Sequence, residues 1–250
     1  MKTGKLTTTC PQQALLKSVI LHILPGLLTT IGFILLKPLL DSSGYPPLLA
    51  FLLAILVIDL PVMWSILLSE SWKKNGRFRL DNIVLYRERV AWKSFTMVFI
   101  GAFVLAYGLI MLATPITDYL TTHVFSGLPA WLLLDEQSQY HAYARNVLVT
   151  VFTFQLVLTG IILPLTEELY FRGYLLPRIE RYGKYAPLIG GLLFGLYHCW
   201  QPFGFVSVFL LGTLLAYVLW WQRDIRLSIG LHITANVLAR LAFLFAALAM

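Results

Sequence analysis

Residues 46–69 read PPLLAFLLAILVIDLPVMWSILLS, twenty-four positions with one ionisable group, Asp59. A helix of that length rises about 36 Å, enough to cross a hydrocarbon core about 30 Å thick. Working outward from it, comparable apolar segments lie at 14–36, 94–113, 147–164, 185–200, 205–221 and 227–250, with 185–200 the shortest. The pattern predicts an all-α, polytopic transmembrane helix bundle of about seven membrane helices, or eight if the 128–134 stretch dips into the membrane.

Composition supports that reading. The chain has 250 residues, 58% of them hydrophobic and 12% charged, where a soluble domain carries about 25% charged residues. Lipid is therefore the expected solvent and the bilayer the first expected partner. The formal charge of +7 does not point to nucleic acid, because the basic residues form short clusters between apolar runs. Lys2, Lys5 and Lys17 precede or open the first segment, and Lys73, Lys74, Arg77, Arg79, Arg87, Arg89 and Lys93 follow the second. Arg178, Arg181 and Lys184 follow the fourth, and Arg223 and Arg226 the sixth. The 115–144 connection carries Asp118, Asp135 and Glu136 and no Lys or Arg. By the positive-inside rule the N-terminus is cytoplasmic and the C-terminus lies on the other side. This charge asymmetry fits a bacterial inner membrane or an endoplasmic-reticulum membrane. Trp72, Trp92, Trp200, Trp220 and Trp221 sit near segment ends, as an aromatic belt would.

Cys10 and Cys199 do not make a disulfide framework, and the first apolar run lacks a small-residue cleavage site, so it reads as a retained membrane helix. The 72–93 loop is long enough for an amphipathic surface helix but not for a domain. One membrane domain over 1–250 is the economical organisation.

Ionisable groups inside a membrane are costly and need a reason. The first half of the chain has few, His22 and Asp59 among them, and the second half concentrates them in three blocks. In the first, Glu167, Glu168 and Arg172 follow Pro164. On a helix Glu168 and Arg172 stand four apart in the favourable order for an ion pair, and Glu167 points about 100° away. Adjacent glutamates with different partners acquire different proton affinities, which separates acid from base. A solvated ion pair at an interfacial helix end is the simpler alternative.

The second block ends in His198, with Phe194 one turn before it as a wall against lipid. A lone His in an apolar helix is most often a packing residue. Here Glu167 lies 16 positions before Gly183 and His198 lies 15 after it, so a hairpin turning there sets the two at similar depth, within reach of one water. Cys199, next to His198, reads as packing. In the third block His232 and Asn236 share a helix face. Both can donate hydrogen bonds to an oxyanion, or simply bond across a helix bundle. Arg240 continues that face, with Asp59 a candidate partner. The length from Val147 to Gly183 calls for a break near Pro164, and the closeness of His232 to its basic loop suggests a shallow site near the cytoplasmic face.

The ordered set Glu-Glu-x-x-x-Arg, Phe-x-x-x-His and His-x-x-x-Asn resembles the CAAX prenyl endopeptidase and bacteriocin-processing superfamily, which includes type II CAAX proteases and abortive-infection proteins. The match covers about residues 166–236. The resemblance implies an all-α membrane bundle with residues 145–250 as its catalytic core, and an intramembrane endopeptidase acting on a peptide or lipidated-protein substrate. It implies Glu167 as the base that activates a water and His198 as its orienting partner. Glu168 would hold neighbouring groups with Arg172, and His232 and Asn236 would form the oxyanion hole. Zinc is possible, with Glu167, His198 and His232 as ligands, but the absence of His-Glu-x-x-His and the poor ligand character of Asn favour no cofactor. A non-catalytic scaffold or bacteriocin-immunity protein is the alternative function, and a transporter is a weaker one, since no repeated halves are visible.

Overall fold

The computed structural model describes residues 10–134 and 137–249. Lys2, Lys5, Asp135, Glu136 and Met250 lie outside the described residues. The protein is a helical, multi-pass membrane bundle. Among the described residues six helical runs are long and apolar enough to cross a membrane, and the one β-type contact is a bridge between Arg87 and Asp224. The first three runs are α1 (Leu15–Asp41), α2 (Pro47–Asn75) and α3 (Trp92–Val124). The chain turns between α1 and α2 at Gly44 (φ 77°), and α2 opens on a proline, whose missing N–H costs nothing in a first turn. α2 closes at Gly76 (φ 64°), the left-handed position that favours glycine at a helix end.

The count differs from about seven because residues Arg145–Tyr197 form one helical run of 53 residues. Straight, it would be about 80 Å long. Instead it reverses at Gly183 (φ 57°, ψ −130°), so two expected segments share it. No break occurs at Pro164. α4 (Arg145–Val157) passes through a wide π turn, Leu158–Ile162, into α5 (Leu163–Glu167). Pro164 has no N–H for the carbonyl one turn back, and the wide turn re-spaces the backbone around that gap. A second wide segment, Glu168–Leu175, and a tight one, Leu176–Tyr185, lead to α6 (Ala186–Tyr197). α6 has 12 residues, too few to cross, and the chain turns back through 198–204 into α7 (Phe205–Gln222) and α8 (Ile225–Ala249).

Small residues let these helices touch. A Cβ on Gly26 of α1 would lie 1.8 Å from the Tyr197 carbonyl oxygen, and one on Gly191 of α6 would lie 2.0 Å from Thr213 Oγ1 of α7. Such close approach is how helices associate where lipid provides no hydrophobic drive.

The 76–91 connection is irregular, not an amphipathic helix. Ile83, Val84 and Tyr86 are buried, and their backbones strap three elements together. Leu85 N–H donates to the Gly173 carbonyl (2.9 Å), Glu88 N–H to Arg223 (3.0 Å), and Ile225 N–H to Tyr86 (2.9 Å). Arg178 donates to the Ile83 carbonyl, Arg223 pairs with Glu180, and Gln13 N–H donates to the Arg178 carbonyl (2.9 Å). The basic segments around 76–91, 178–184 and 223–226 therefore gather at one end of the bundle. Of the tryptophans, Trp72, Trp92 and Trp221 are exposed, as a belt requires, but Trp200 is 5% exposed and packs on Phe51 and Tyr197.

Asp224 is the knot of that end. It accepts from the backbone N–H groups of Val90 (3.1 Å) and Arg226 (3.1 Å) and from the Arg226 guanidinium. Burial works against its charge, but the hydrogen bonds from Arg226 and Val90 outweigh it and hold the Asp224 carboxyl below the usual carboxylate range. A depressed folded-state value stabilises the protein at neutral pH, and this contribution is lost as pH falls through that value. Asp224→Ala is expected to cost about 1 kcal/mol at pH 7, as loss of a helix N-cap does. The gap in thermal melts between wild type and variant should narrow progressively as pH falls below the ordinary aspartate range; a gap of constant size down to the acid limit of the fold would mean that the charge is not its source.

Candidate active site

All six residues singled out in the sequence line one cavity or touch a residue that does. The cavity, about 220 Å³, is lined by Glu167, His198, His232 and Asn236, with apolar walls that include Phe51, Phe103 and Leu215. One water needs about 15 Å³ of such space, so a hydrolytic water fits. Glu168 lies behind the cavity against His232, and Arg172 lies one residue further back against Glu168.

The wide segment Glu168–Leu175 divides the glutamates. Glu168 and Arg172 pair at 3.4 Å, four residues apart, and both are buried. Arg172 is held on its other sides by the Gly212 carbonyl (3.3 Å) and by the Phe194 ring, 3.8 Å from the guanidinium carbon. Glu168 Oε1 also lies 2.8 Å from His232 Nδ1. Ion pairing, a hydrogen bond and a cation–π contact together compensate a charge pair that lipid cannot solvate. Glu167 is buried too, but its Oε1 has no hydrogen-bond partner among the described residues, and its Oε2 stands 3.6 Å from His232 Nε2. As the spacing predicted, the arginine holds one carboxylate, and the other points elsewhere, onto the cavity.

His198 is not within a helix. α6 ends at Tyr197, and His198 (φ −78°, ψ 51°) leaves the helical path. Its Nδ1 is 2.8 Å from the Phe194 carbonyl, which can only accept, so Nδ1 carries the proton and Nε2 keeps a lone pair. Phe194 is buried between Arg172, His198 and His232, with ring centroids 4.8 Å and 6.1 Å from the two imidazoles. It is a packing hub as much as a wall. Asn236 Nδ2 donates to the His232 carbonyl (3.2 Å), which uses one of its two hydrogens and leaves the other for a ligand. Cys199 donates to the Leu196 carbonyl, as packing would have it.

His232 is seven residues, about 10 Å, along α8, and His198 follows the 12 residues, about 18 Å, of α6. Sequence reasoning missed the contributions of Gln155 of α4 and Thr159 of the Leu158–Ile162 turn, which line the cavity, and of Tyr197 and Asp59 beside Glu167. Asp59 is not paired with Arg240 as the sequence suggested: Tyr197 O–H donates to it. Its cost inside a membrane was the available signal, and which helix would answer it was not.

Residues 149–238 match the family model for Type II CAAX prenyl endopeptidase Rce1-like proteins. No curated protein and no solved structure gives a significant match. The matched segment starts in α4, ends in α8 and contains all three motif blocks, in keeping with the resemblance read from them. The similarity of residues 149–238 to that family supports a membrane endopeptidase in general.

The division of the glutamates can be measured. Glu168→Gln leaves Arg172 buried without its counter-charge and should cost about 3–5 kcal/mol. Glu167→Gln breaks no such pair and should stay within about 1 kcal/mol of wild type. Equal losses in detergent unfolding titrations would show that the two carboxylates are not divided in this way.

Proposed function

We propose that this protein hydrolyses a peptide bond by a water that Glu167 activates. The observation that carries this is the contrast within the Glu pair. Glu168 Oε1 is engaged by both Arg172 and His232, while Glu167 lines the cavity with His198, His232 and Asn236 and stands 3.6 Å from the nearest of their nitrogens, His232 Nε2. In this reading the attacking water gives one hydrogen to Glu167 and the other, as a hydrogen bond, to His198 Nε2. Its oxygen lone pair is then free for the carbonyl carbon. As the carbonyl oxygen gains charge, the spare N–H of Asn236 and a protonated His232 Nε2 receive it. Glu168, itself held by Arg172, keeps His232 in register through Nδ1. Glu167 then returns its proton to the leaving amine.

Glu167, His198 and His232 are the set that zinc would use. Among the described residues, no three His, Cys, Asp or Glu side chains converge closely enough to hold a metal ion. His232 Nδ1 is moreover committed to Glu168. The donor set does not fit zinc in this geometry, and the proposed steps run through protein groups alone.

The substrate class we propose is a membrane-associated peptide, such as a prenylated CAAX tail or a leader peptide. Support comes from the apolar walls around a polar catalytic face and from the description of the matched family. Residues 145–250 would be the catalytic core. We propose a cytoplasmic N-terminus and a cytoplasmic basic end, a reading that the gathered basic segments support through the positive-inside rule.

The test is cleavage of a quenched lipidated peptide in liposomes. Glu167→Ala should lower kcat by about 100- to 10,000-fold, and Asn236→Ala by about 100-fold, with melting curves retained. A strong chelator should leave the wild type active. A fully active Glu167→Ala protein refutes the reading, and chelator sensitivity makes Glu167, His198 and His232 metal ligands instead.

A further inference from the structure

We infer that Arg240 and Gln155 form a subsite for the free C-terminal carboxylate end of the substrate peptide, so that the protein selects chains that end shortly beyond the scissile bond. The inference rests on the reading of the cavity as a peptidase site. Arg240 continues the α8 face of His232 and Asn236, four residues beyond the latter. It lines the cavity two turns, about 12 Å, past His232 and away from the basic end. A guanidinium inside a membrane helix is costly and needs a reason. Gln155 of α4 lines the same cavity and is 3% exposed, and its Oε1 accepts no hydrogen bond among the described residues.

α8 runs antiparallel to the run that carries the glutamates: Glu167 stands against His232, and Gly160 against Val237. The same register sets Arg240 level with Thr159, with Gln155 about one turn further from the basic end. The proposed catalytic groups occupy one level of the cavity. A cation and an open acceptor occupy the other, beside the apolar Leu48 and Phe51. A peptide of a few extended residues, each spanning at most about 3.5 Å, bridges the two levels. Charge sets its direction: Arg240 repels a terminal ammonium and attracts a terminal carboxylate. The guanidinium presents five N–H hydrogens in a planar fork that matches both oxygens of a carboxylate. Arg240 also interacts within the protein, and the fork can hold two acceptors at once. Gln155 Oε1 then accepts the last backbone N–H of the peptide, which the apolar walls cannot satisfy. The bond that breaks joins the carbonyl held by His232 and Asn236 to the nitrogen of the segment that ends at Arg240. The hydroxyl of the water goes to the carbonyl carbon and its proton to that nitrogen, so the segment leaves with a free amine and its original carboxylate.

The probe is an S-farnesylated Cys-Ala-Ala-Leu peptide made with a free acid or an amide at its C-terminus, and cleavage in liposomes is read as released peptide by mass spectrometry. Wild type should cleave the acid about 10- to 100-fold better than the amide in kcat/KM, the worth of a hydrogen bond to a charged group. Arg240→Gln should bring that ratio to about one by slowing the acid alone. Arg240→Lys, which keeps the charge without the fork, should keep part of it. Gln155→Leu should slow both peptides alike by about tenfold, and an unchanged rate removes Gln155 from the subsite. The ratio is taken within each protein, so a variant that folds only in part still reports it. A wild type indifferent to amidation overturns the inference. So does an Arg240→Gln variant that slows acid and amide equally, as loss of a packing contact or of a lipid phosphate would. Binding separates the subsite from the peptidase reading. In Glu167→Gln protein, titrated with each peptide and followed by its melting temperature, the acid should bind at least tenfold more tightly than the amide, and adding Arg240→Gln should abolish the preference. Acid-selective binding with no cleavage by the wild type refutes the peptidase reading and retains the subsite; equal binding of the two, or binding of neither, refutes the subsite.

Discussion

A guanidinium and a carboxylate that enter a bilayer together lose solvation that their mutual attraction alone does not restore. Arg172 and Glu168 are in that position, and the arrangement of the second half of the chain can be understood as its consequence. Arg172 draws a carbonyl from α7 at Gly212 and an aromatic face from α6 at Phe194. Glu168 draws an imidazole from α8 at His232. Three helices are thus tied to one point in the 168–175 segment. Because Glu168 satisfies these demands, its neighbour Glu167 does not have to, and a carboxylate is left facing the cavity.

Wide turns make this geometry possible. Regular α-helix would place every fourth residue on one face without exception. Here π turns at Ile55–Asp59, Leu158–Ile162 and Glu168–Leu175 interrupt the repeat where Asp59, Thr159 and Glu168 enter or approach the site. Such turns are rare and gather at functional positions. They also explain why one run of 53 residues can hold two membrane segments: it bends by local re-spacing and reverses only at Gly183, where a left-handed backbone suits glycine.

The polar end of the bundle obeys a different economy. At the basic end, backbone groups of the 76–91 strap find partners at Gly173, Arg223 and Asp224, so irregular chain there is satisfied by protein as well as by water. Within the bundle the same need falls on side chains. His198 bonds its own helix end at Phe194, Asn236 bonds its own helix at His232, and Tyr197 bonds a carboxylate from another helix. The first two were legible as spacings of four residues. The third joins residues 138 positions apart and leaves no local pattern.

Periodicity and composition alone determined that the chain is an all-α membrane protein, because a run such as 46–69 has no other stable environment. Spacing of four residues determined the Glu168–Arg172 pair and the shared face of His232 and Asn236, because both relations are internal to one helix. Tertiary structure decided the rest. It merged two expected segments into one run, turned the expected surface helix into a strap, took Trp200 from the belt into the core, and gave Asp59 to Tyr197 and not to Arg240. Each of these depends on which helices meet. In lipid that is settled by close approach at residues such as Gly26 and Gly191 and by the pairing of buried polar groups, neither of which a single helix can satisfy by itself.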